Sequence, residues 1–269
     1  MRRVSILGLG RMGLAAAERY AAEDWAVTAW SRGGRTVHGV RSAASPGEAA
    51  GRGDPVVLFL FDGPSCLEVL AAAVPGLRSG TLVVNTATTA PDEAERCDLL
   101  VRDAGGRYVH APVLGSVPAV RAGTLVAFAG GAEDDVDEAA DVLAPLVREL
   151  VRVPAPGRAA ALKLVANTSL GGALAALAET LEVAQGLGVE RVEALEVLAR
   201  GRLAGVVDGS RHRLLGLDRT PAHFTLAALA KDLRLARDAS GVEPAALVRA
   251  EAALDGGAPA DGDITELVR

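Results

Sequence analysis

Apolar and polar positions alternate in two different ways along the first part of the chain. Short apolar runs predict strands at residues 4–7, 25–30, 56–61, 81–86, 107–111, 125–129 and 150–153. Between them, apolar residues recur at helical spacing and predict helices at residues 12–22, 65–73, 91–104 and 133–147. Several strand runs are continuously apolar, as expected for strands covered on both faces. The pattern therefore predicts an α/β fold with a right-handed, mostly parallel, doubly wound sheet.

The pattern changes at the run Pro154-Ala155-Pro156-Gly157. Beyond it no strand is indicated, and residues 159–186 predict one long helix because apolar residues recur there at helical spacing. More helices are predicted at residues 192–198, 210–215, 226–239 and 244–254, followed by a loop and a short final helix. We therefore expect a doubly wound domain over residues 1–155 and an all-α domain over residues 156–269. A long apolar helix that leaves the first domain needs a cover, so we expect a homodimer.

Composition narrows the class of protein. The chain has 269 residues, of which 50% are hydrophobic but only 3% aromatic, so its core is built from Ala, Val and Leu. The formal net charge of −6 argues against a surface for nucleic acid or anionic membranes. Cys66 and Cys97 show no disulfide or metal-site spacing and fit a reducing cytoplasm. No histidine spacing indicates a metal site, and no apolar stretch is expected to span a bilayer without interruption by Gly, Glu or Gln.

The first predicted strand runs directly into a glycine-rich turn, Gly8-Leu9-Gly10-Arg11-Met12-Gly13. Gly8 permits the tight turn, Gly10 lets a pyrophosphate approach the backbone, and Gly13 lets the following helix pack close to the sheet. The N–H groups at the start of that helix would face the phosphates. With a strand before it and a helix after it, the motif indicates a dinucleotide-binding Rossmann domain rather than a turn without a ligand.

The end of the second predicted strand bears on which dinucleotide binds. Domains that hold NAD usually place Asp or Glu there to bind the ribose 2′-OH. This chain has Ser31 and Arg32, with Arg35 just beyond. A carboxylate would repel a 2′-phosphate, whereas arginine can bind one with two hydrogen bonds. We therefore expect NADP(H) as the cofactor; the alternative is that both arginines are ordinary solvated side chains.

Later strands of the sheet should contribute to the same crevice, because the carboxyl ends of parallel strands line the binding site. Phe61 and Asp62 follow the third predicted strand and are expected to flank the adenosine ribose and pyrophosphate. Thr88 follows the fourth predicted strand and is expected on the nicotinamide side.

Three further motifs follow the glycine-rich turn in order and extend the pattern over nearly the whole chain. They are Ala111-Pro112-Val113-Leu114-Gly115-Ser116, Lys163-Leu164-Val165-Ala166-Asn167 and Lys231-Asp232-Leu233-Arg234-Leu235-Ala236. With them the chain resembles the β-hydroxyacid dehydrogenase family, which includes 3-hydroxyisobutyrate dehydrogenases and glyoxylate/succinic semialdehyde reductases. The joint match is much more specific than any single motif.

The resemblance assigns roles that the residues alone do not. Lys163 and Asn167 share a helix face, and by itself Lys163 would be interpreted as a snorkelling lysine on an apolar helix. The resemblance implies instead that Lys163 is the general acid/base and that Asn167 orients it or holds the substrate. It also implies that Lys231 lies near the nicotinamide and the substrate, although a solvated charge pair with Asp232 is the plain alternative. Phe224 is expected either to wall the substrate pocket or to belong to the core.

One position departs from the family pattern. The family usually has serine where this chain has Leu114, in the loop that binds the substrate carboxylate. The backbone amides of Gly115 and Ser116 remain, and the Ser116 hydroxyl can substitute in part. The departure puts an acid substrate in doubt and leaves the reductase chemistry intact.

These observations support an NADPH-dependent oxidoreductase that acts on a small aldehyde, keto acid or hydroxy acid. Reduction of a C=N bond, as in imine reductases of the same architecture, is an alternative that Lys163 disfavours and Leu114 mildly favours. A nucleotide-binding partner protein without catalysis is a third reading, since fold does not fix function. The retention of Lys163, Asn167 and Lys231 together argues against it.

Overall fold

The computed structural model describes residues 2–268. Residues up to Lys163 form one compact unit, and residues from Leu164 onward form a second. The strands of the first unit are β1 Arg3–Leu7, β2 Ala26–Trp30, β3 Arg41–Ser42, β4 Val56–Leu58, β5 Leu82–Asn85, β6 Arg107–His110, β7 Val113–Leu114, β8 Leu125–Gly130 and β9 Val147–Val153. Its helices are α1 Arg11–Ala22, α2 Pro46–Arg52, α3 Gly63–Ala73, α4 Pro91–Asp103, α5 Val117–Ala122 and α6 Glu133–Leu143.

The strands form one sheet in the order β3-β2-β1-β4-β5-β6-β8-β7, and β9 pairs with β8. The pairs from β3 to β6 are all parallel, whereas β8 runs antiparallel to β6 and β7. The chain starts in the middle at β1, winds outward to β3, and then returns to β4 on the other side of β1. The predicted doubly wound, mostly parallel sheet is therefore confirmed, and the change of direction between β1 and β4 is where such sheets bind their ligands.

Both faces of this sheet are buried, as the apolar strand runs predict. Ile6 belongs to a core shared with α1, α5 and α6, whereas its neighbour Leu7 belongs to a core shared with α2, α3 and α4. Successive strand side chains point to opposite faces, so each strand supplies both cores. The sheet is thereby held rigidly, and the loops at its carboxyl edge start from fixed positions.

Three predicted boundaries of the first unit are wrong by three residues or more. The strand predicted over residues 56–61 ends at Leu58, and the following three residues line a groove. The helix predicted over residues 133–147 ends at Leu143. Pro145 has no backbone N–H to continue the helical hydrogen bonds, and the strand predicted over residues 150–153 begins already at Val147.

Five short elements were not predicted: β3, α2, β7, α5 and a 3-10 turn at Val74–Gly76. Each has seven residues or fewer, too short for an apolar period to show. For α2 a usable signal was present, because Ser45 accepts a hydrogen bond from the Glu48 N–H and Glu48 accepts one from the Ala44 N–H. A serine followed three residues later by glutamate is a typical helix start.

The second unit is helical, as predicted. Its elements are α7 Pro156–Gly186, which begins in the first unit, then α8 Arg191–Leu198, α9 Ala204–Leu214, α10 Leu226–Ser240, α11 Ala245–Asp255 and a final 3-10 turn, Ile264–Val268. Leucines of α7, α10 and α11 form its core, including Leu177, Leu229 and Leu247. The helix predicted over residues 210–215 begins earlier in the structure, at Ala204. The prediction missed the first half of α9 because Gly205 and Gly209 weaken its helical signal.

Helix α7 is, by length and composition alone, apolar enough to cross a membrane. The stretch contains Gly171, Gly172 and Glu179, in line with the expected interruption by Gly and Glu. The evidence for a membrane span is weak, because a core helix of a soluble protein passes the same test. Buried residues of α7, such as Leu174 and Leu181, pack in the core of the second unit.

Candidate active site

A groove of about 360 Å³ lies at the carboxyl edge of the sheet, where the strand order reverses. Three chain segments line it, and each follows a parallel strand. The lining residues are Gly8, Leu9 and Gly10 after β1, Trp30, Ser31, Arg32, Gly33 and Arg35 at and after β2, Phe59, Leu60 and Phe61 after β4, and Ser65 and Val69 of α3. Six of the predicted cofactor-binding residues are thus brought together, namely Gly8, Leu9, Gly10, Ser31, Arg32 and Phe61.

The glycines of the turn are required for two different reasons. Gly8 has a φ of +106°, and a Cβ there would stand 2.3 Å from the Phe59 carbonyl oxygen. At Gly13 a Cβ would stand 1.9 Å from the Gly8 oxygen, so the turn and α1 could not approach. At Gly10 no heavy atom of the protein lies within 4 Å of such a Cβ. The fold therefore explains Gly8 and Gly13 but leaves open space above Gly10, which is the space a pyrophosphate needs.

Helix α1 begins directly after this open space. Gly10 is its N-cap and supplies no side-chain hydrogen bond to the first turn. The first N–H groups of a helix have no partner within the helix and carry a partial positive charge. Arg11, Met12 and Gly13 occupy this turn but do not line the groove. The residues present fit a dinucleotide whose phosphates face the start of α1.

The end of β2 is organised around Ser31. Its hydroxyl accepts a hydrogen bond from the Arg35 N–H at 2.7 Å and closes the turn that follows the strand. The Arg35 guanidinium donates to the Leu9 carbonyl at 2.9 Å and so ties this turn to the glycine-rich one. Arg32 is about two-thirds exposed and pairs with Glu68 at 2.6 Å. Two guanidinium groups therefore stand at the rim of the groove, and one of them already has a carboxylate partner.

The remaining residues predicted for the first unit lie near the same edge. Asp62 is the N-cap of α3 and accepts a hydrogen bond from the Ser65 N–H at 2.9 Å, so this carboxylate holds the helix that walls the groove. Thr88 is half-buried in the turn between β5 and α4. Neither Asp62 nor Thr88 lines the groove, and their contact with a cofactor remains a prediction.

The loop that carries Leu114 is defined by local structure. Leu114 ends β7, is half-buried, and pairs with Val126 of β8. Gly115 has a φ of +117° and turns the chain into α5. Ser116 is the N-cap of α5, but its hydroxyl makes no capping hydrogen bond among the described residues. The three residues predicted to bind substrate in this loop thus stand together at the start of a short helix.

A polar cluster lies within the helical unit, on α7 and α10. Asn167 and Asp232 are buried, with exposed fractions of 4% and 3%. The Asn167 amide donates to Oδ2 of Asp232 at 2.5 Å, and the Lys231 Nζ lies 2.6 Å from Oδ1. Oδ1 accepts no well-aligned hydrogen bond from any described residue, so Lys231 acts on it as a neighbouring charge. Asp232 therefore neutralises Lys231 and fixes the side chain of Asn167.

Lys163 lies one helical turn before Asn167 on α7 and is 8% exposed. Residues four apart on a helix share a face, so Lys163 and Asn167 point to the same side of α7. A lysine this deeply buried is not the snorkelling side chain that the sequence alone suggested. A buried amino group loses hydration of its charged form, which is the physical condition for proton transfer near neutral pH.

Asp232 is the residue of this cluster that the sequence reasoning treated only as half of a charge pair. Asp232 lies on the buried face of α10 together with Leu229 and Leu233. Residues three or four positions apart share a face of a helix, and Leu229 stands three positions before Asp232 and four before Leu233. An aspartate on the apolar face of an amphipathic helix is rarely buried without a partner. That placement was a usable signal. Phe224, in contrast, is half-buried against the core of the helical unit, and its contact with a substrate remains a prediction.

Comparison with known families covers both units. Residues 3–153 match the NAD binding domain of 6-phosphogluconate dehydrogenase. Residues 157–255 match the family described as the NAD-binding domain of NADP-dependent 3-hydroxyisobutyrate dehydrogenase. The chain belongs to the β-hydroxyacid dehydrogenase family. The resemblance drawn from the four motifs is confirmed, and the family is one of nicotinamide-dependent dehydrogenases and reductases.

Two curated relatives show the range of proteins that share this sequence pattern. Mouse cytokine-like nuclear factor N-PAC is 26% identical over 239 residues, which cover 87% of this chain and 43% of that protein. The chloroplastic glyoxylate/succinic semialdehyde reductase 2 of Arabidopsis thaliana is 26% identical over 241 residues, which cover 87% of this chain and 67% of that protein. The chain thus spans less than half the length of the N-PAC relative that it matches.

Solved structures agree with the family. The 3-hydroxyisobutyrate dehydrogenase of Mycobacterium tuberculosis, solved with L-serine, is 25% identical and gives a TM-score of 0.86, covering 100% of this chain and 98% of that one. The imine reductase of Streptomyces aurantiacus is 22% identical and gives a TM-score of 0.67, covering 99% of this chain and 98% of that one. The second likeness is one of fold alone.

Proposed function

We propose that this β-hydroxyacid dehydrogenase homologue is an NADPH-dependent reductase of small carbonyl compounds, with Lys163 as the proton donor. The proposal depends mainly on the positions of the lysines in the chain. The chain contains 28 basic residues, and its only lysines are Lys163 and Lys231. Lys163 is buried on α7, and Lys231 on α10 pairs with the buried Asp232. Arginine does not release its proton at physiological pH, whereas lysine can. The chain uses lysine where this chemistry requires it.

The cofactor part of the proposal rests on the rim of the groove. Ser31, Arg32 and Arg35 stand at the end of β2, where an acidic residue would select NAD. A 2′-phosphate bound there would meet the Arg32 guanidinium and the turn closed by Ser31. A bound nicotinamide would supply the hydride. The glycine-rich turn and the start of α1 would hold the pyrophosphate.

The proton part rests on α7 and α10. In reduction, Lys163 Nζ gives its proton to the carbonyl oxygen as negative charge develops there, and in oxidation it takes the proton back. Asn167 is held by Asp232 and can orient the lysine or bind the substrate. Lys231 pairs with Asp232, which neutralises its charge within the cluster.

The substrate part rests on Leu114. Its side chain cannot donate a hydrogen bond, and it stands beside the amides of Gly115 and Ser116. We infer that neutral or weakly polar aldehydes and ketones are better substrates than short keto acids. The Arabidopsis relative is named for two acids, glyoxylate and succinic semialdehyde. This chain would therefore share its chemistry but not its preference.

A direct experiment follows from the scarcity of lysines. Reductive methylation with ¹³C-formaldehyde should give resolved signals for only two lysine side chains, besides the amino terminus. Titration by NMR then reads the pKa of Lys163 directly, with Lys163→Arg to assign its signal. We expect a Lys163 pKa below the ordinary lysine value, and a further change when NADP⁺ is added. A Lys163 that titrates as an ordinary lysine in both states would contradict its role as proton donor.

The activity itself is tested by NADPH oxidation with a panel of aldehydes, ketones and keto acids. An imine panel with the same enzyme tests the second candidate, C=N reduction, which Leu114 favours because an apolar wall suits an uncharged imine. Turnover of imines alone would replace the first proposal by the second. NADPH binding without turnover of any compound would favour a nucleotide-binding role without catalysis.

We further propose that the chain acts as a homodimer in the cytoplasm. Val165 and Val183 of α7 are exposed, with exposed fractions of 66% and 56%, which favours a covering partner for this helix. Sedimentation equilibrium tests the dimer: Val165→Glu together with Val183→Glu should yield a monomer, whereas Leu99→Glu, at an exposed leucine of α4, should not. A wild-type protein that sediments as a monomer at micromolar concentration would contradict the proposal.

A further inference from the structure

A chain of buried polar side chains crosses the first unit behind the turn that carries Thr88. Asn85, Thr89, Tyr108 and His110 are all fully buried. The Asn85 amide nitrogen lies 3.0 Å from the Tyr108 hydroxyl, and that hydroxyl lies 3.2 Å from Nδ1 of His110. Nε2 of His110 lies 3.3 Å from the Thr89 hydroxyl, which lies 3.1 Å from the Ala90 carbonyl. Buried polar groups are normally paired, but four in one continuous line are unusual.

Every member of this polar chain is satisfied when His110 is a neutral imidazole. The Asn85 side-chain oxygen accepts the Ala87 N–H at 3.0 Å, and its amide nitrogen donates to Tyr108. Thr89 can donate to the Ala90 carbonyl and accept from Nε2 of His110, whose Nδ1 then accepts the proton of Tyr108. The Ala90 carbonyl also accepts the Ala94 N–H at 3.1 Å, so Thr89 can instead donate to Nε2. In either tautomer the imidazole is neutral and pairs with both hydroxyls.

The two ends of this polar chain lie at one predicted site loop of the first unit, and its middle members lie on the strand that leads into another. Asn85 and Thr89 bracket the turn over residues 86–90, whose other side is held by the Ala90 N–H donating to Glu93 at 2.8 Å. His110 ends β6 immediately before the Ala-Pro motif, and the Ala111 N–H donates to the Asn85 carbonyl at 2.7 Å. The polar chain therefore fixes both loops relative to each other from behind.

We propose that Asn85, Tyr108, His110 and Thr89 are positioning residues that hold the 86–90 turn in the shape that receives the nicotinamide end of the cofactor. The proposal rests on the proposed NADPH-dependent function and on the predicted position of Thr88 on the nicotinamide side. None of the four side chains is exposed, so none contacts the cofactor itself. Their effect is transmitted through the backbone of the turn and the placement of Thr88.

The buried environment suits a fixed proton arrangement. Burial lowers the pKa of His110 to about 3 and raises the pKa of Tyr108 above its ordinary value. Both side chains thus keep one protonation state across the pH range in which enzymes of this kind work. With one protonation state, the buried polar chain gives one turn geometry at every such pH. A protonated His110 would instead carry a proton on both ring nitrogens and disturb this pairing.

The decisive variant is Tyr108→Phe, which removes one hydroxyl and keeps the ring. Tyr20→Phe, outside the polar chain, is a matched control. Tyr20 is also fully buried, and its hydroxyl donates to the Val142 carbonyl at 2.9 Å, in the core beside α1 and α6. Tyr20→Phe removes one buried hydrogen bond, whereas Tyr108→Phe removes the two that join Tyr108 to Asn85 and His110. Both variants should therefore lose thermal stability, Tyr108→Phe by more. Only Tyr108→Phe leaves the Asn85 amide nitrogen and Nδ1 of His110 without these partners.

Binding is measured with two ligands that share the adenosine half. NADP⁺ carries the nicotinamide, whereas adenosine 2′,5′-bisphosphate does not. For Tyr108→Phe we expect NADP⁺ to bind about tenfold more weakly and kcat to fall by a similar factor, with fragment binding changed less than about twofold. Tyr20→Phe should leave the Kd of both ligands and kcat unchanged. Weakening of both ligands to the same extent, or equal effects of the two variants, would overturn the proposal.

A second pair keeps the test valid if Tyr108→Phe fails to fold. Thr89→Val keeps the shape of the side chain but removes the hydroxyl that pairs with Nε2 of His110, whereas Thr89→Ser retains this hydroxyl. We expect Thr89→Val to reproduce the selective loss of NADP⁺ binding. Thr89→Ser should bind NADP⁺ as the wild type does. Indistinguishable binding by these two variants would refute the proposal. A wild-type protein that binds the fragment but no NADP⁺ would contradict the proposed function instead.

Discussion

Arg32 is the side chain on which cofactor choice depends most directly. It is exposed at the rim of the groove and already paired with Glu68, so a 2′-phosphate must compete with a carboxylate for it. We predict that Arg32→Gln weakens NADPH binding roughly ten- to a hundredfold, the range of a charge-assisted hydrogen bond, and leaves NADH binding unchanged. Glu68→Gln should strengthen NADPH binding by a smaller factor, because exposed ion pairs are weak.

Fluorescence titration with both nucleotides measures these effects. Arg52→Gln is the control, since Arg52 is an exposed arginine paired with Glu48 on α2, away from the groove. A wild-type enzyme that binds NADH as tightly as NADPH, or an Arg32→Gln variant that weakens both nucleotides equally, would refute the assignment of NADPH.

For Lys163 the expected effect is of a different kind, because substitution there should change kcat and not the affinity for the cofactor. We predict that Lys163→Met lowers kcat roughly 10²–10⁴-fold, the range attributed to general acid/base catalysis. Methionine keeps the length and apolar stem of the side chain, so the Kd of NADP⁺ should stay the same. Steady-state kinetics together with NADP⁺ titration separate the two quantities. Near-normal turnover by Lys163→Met would remove this residue from the mechanism.

Leu114 should decide between acid and neutral substrates. A carboxylate placed beside it would lack one hydrogen-bond partner, a cost of about 1–3 kcal/mol. We predict that Leu114→Ser shifts the ratio of kcat/KM between a keto acid and a neutral aldehyde of similar size about tenfold toward the acid. Leu114→Ala serves as the control for lost volume without a hydroxyl. An unchanged ratio would show that Ser116 and the loop amides already determine the substrate class.

At the scale of single residues, the sequence predicted local motifs better than it predicted contacts between distant residues. The glycine-rich turn was readable because strand, glycines and helix are neighbours in the chain, and the groove now contains it. The role of Asp232 was not readable in the same way, because its hydrogen bond joins it to Asn167, which is 65 positions away in the chain. The pairing of Arg32 with Glu68 lies outside the sequence signal for the same reason. Interactions across long separations depend on packing that local patterns do not encode.

At the scale of elements, long buried helices and strands were predicted and short ones were not. An apolar period needs two or more turns to show, so α7 and α10 were evident whereas α2 and α5 were not. Short elements depend instead on single capping residues. Ser45 for α2 and Gly115 for the turn before α5 are the residues that decide where these helices begin.

Helix α2 gives a prediction at this scale. Ser45 accepts a hydrogen bond from the Glu48 N–H at 3.1 Å, and the helix is too short to form without its cap. We predict that Ser45→Ala lowers the free energy of unfolding by about 1 kcal/mol, the usual value for a lost N-cap. Ser45→Asp can accept the same hydrogen bond and should restore stability. Urea unfolding of the three proteins tests this, and equal stability of Ser45→Ala and wild type would contradict it.

At the scale of the whole molecule, charge and burial act on stability in different pH ranges. The chain has an isoelectric point near 5.3, so its net charge is small close to pH 5 and general charge repulsion is weak there. A loss of stability between neutral pH and pH 5 must therefore come from particular groups whose pKa differs between the folded and unfolded states. His110 is such a group, since burial lowers its pKa to about 3 in the folded chain.

The sign of the effect follows from proton uptake. The unfolded chain binds a proton at His110 below the ordinary histidine pKa of about 6.5, whereas the folded chain does not until about pH 3. Neutral His110 therefore contributes its full stability above pH 6.5 and loses it as the pH falls toward 3. The groups that contact its ring are the hydroxyls of Tyr108 and Thr89, which remain uncharged throughout this range.

We predict that the free energy of unfolding falls by about 2 kcal/mol between pH 6.5 and pH 5 because of His110 alone, since each pKa unit corresponds to about 1.4 kcal/mol. His110→Asn removes the titrating group, so its unfolding free energy should change by correspondingly less over the same interval, even though its absolute stability is lower. His38→Asn, at an exposed histidine, should keep the slope of the wild type. Urea unfolding at pH 6.5, 6.0, 5.5 and 5.0, at protein concentrations low enough to avoid precipitation near the isoelectric point, gives the three slopes. Equal slopes for His110→Asn and the wild type would show that His110 is not held neutral in the folded chain, and the neutral imidazole of the buried polar chain would then be wrong as well.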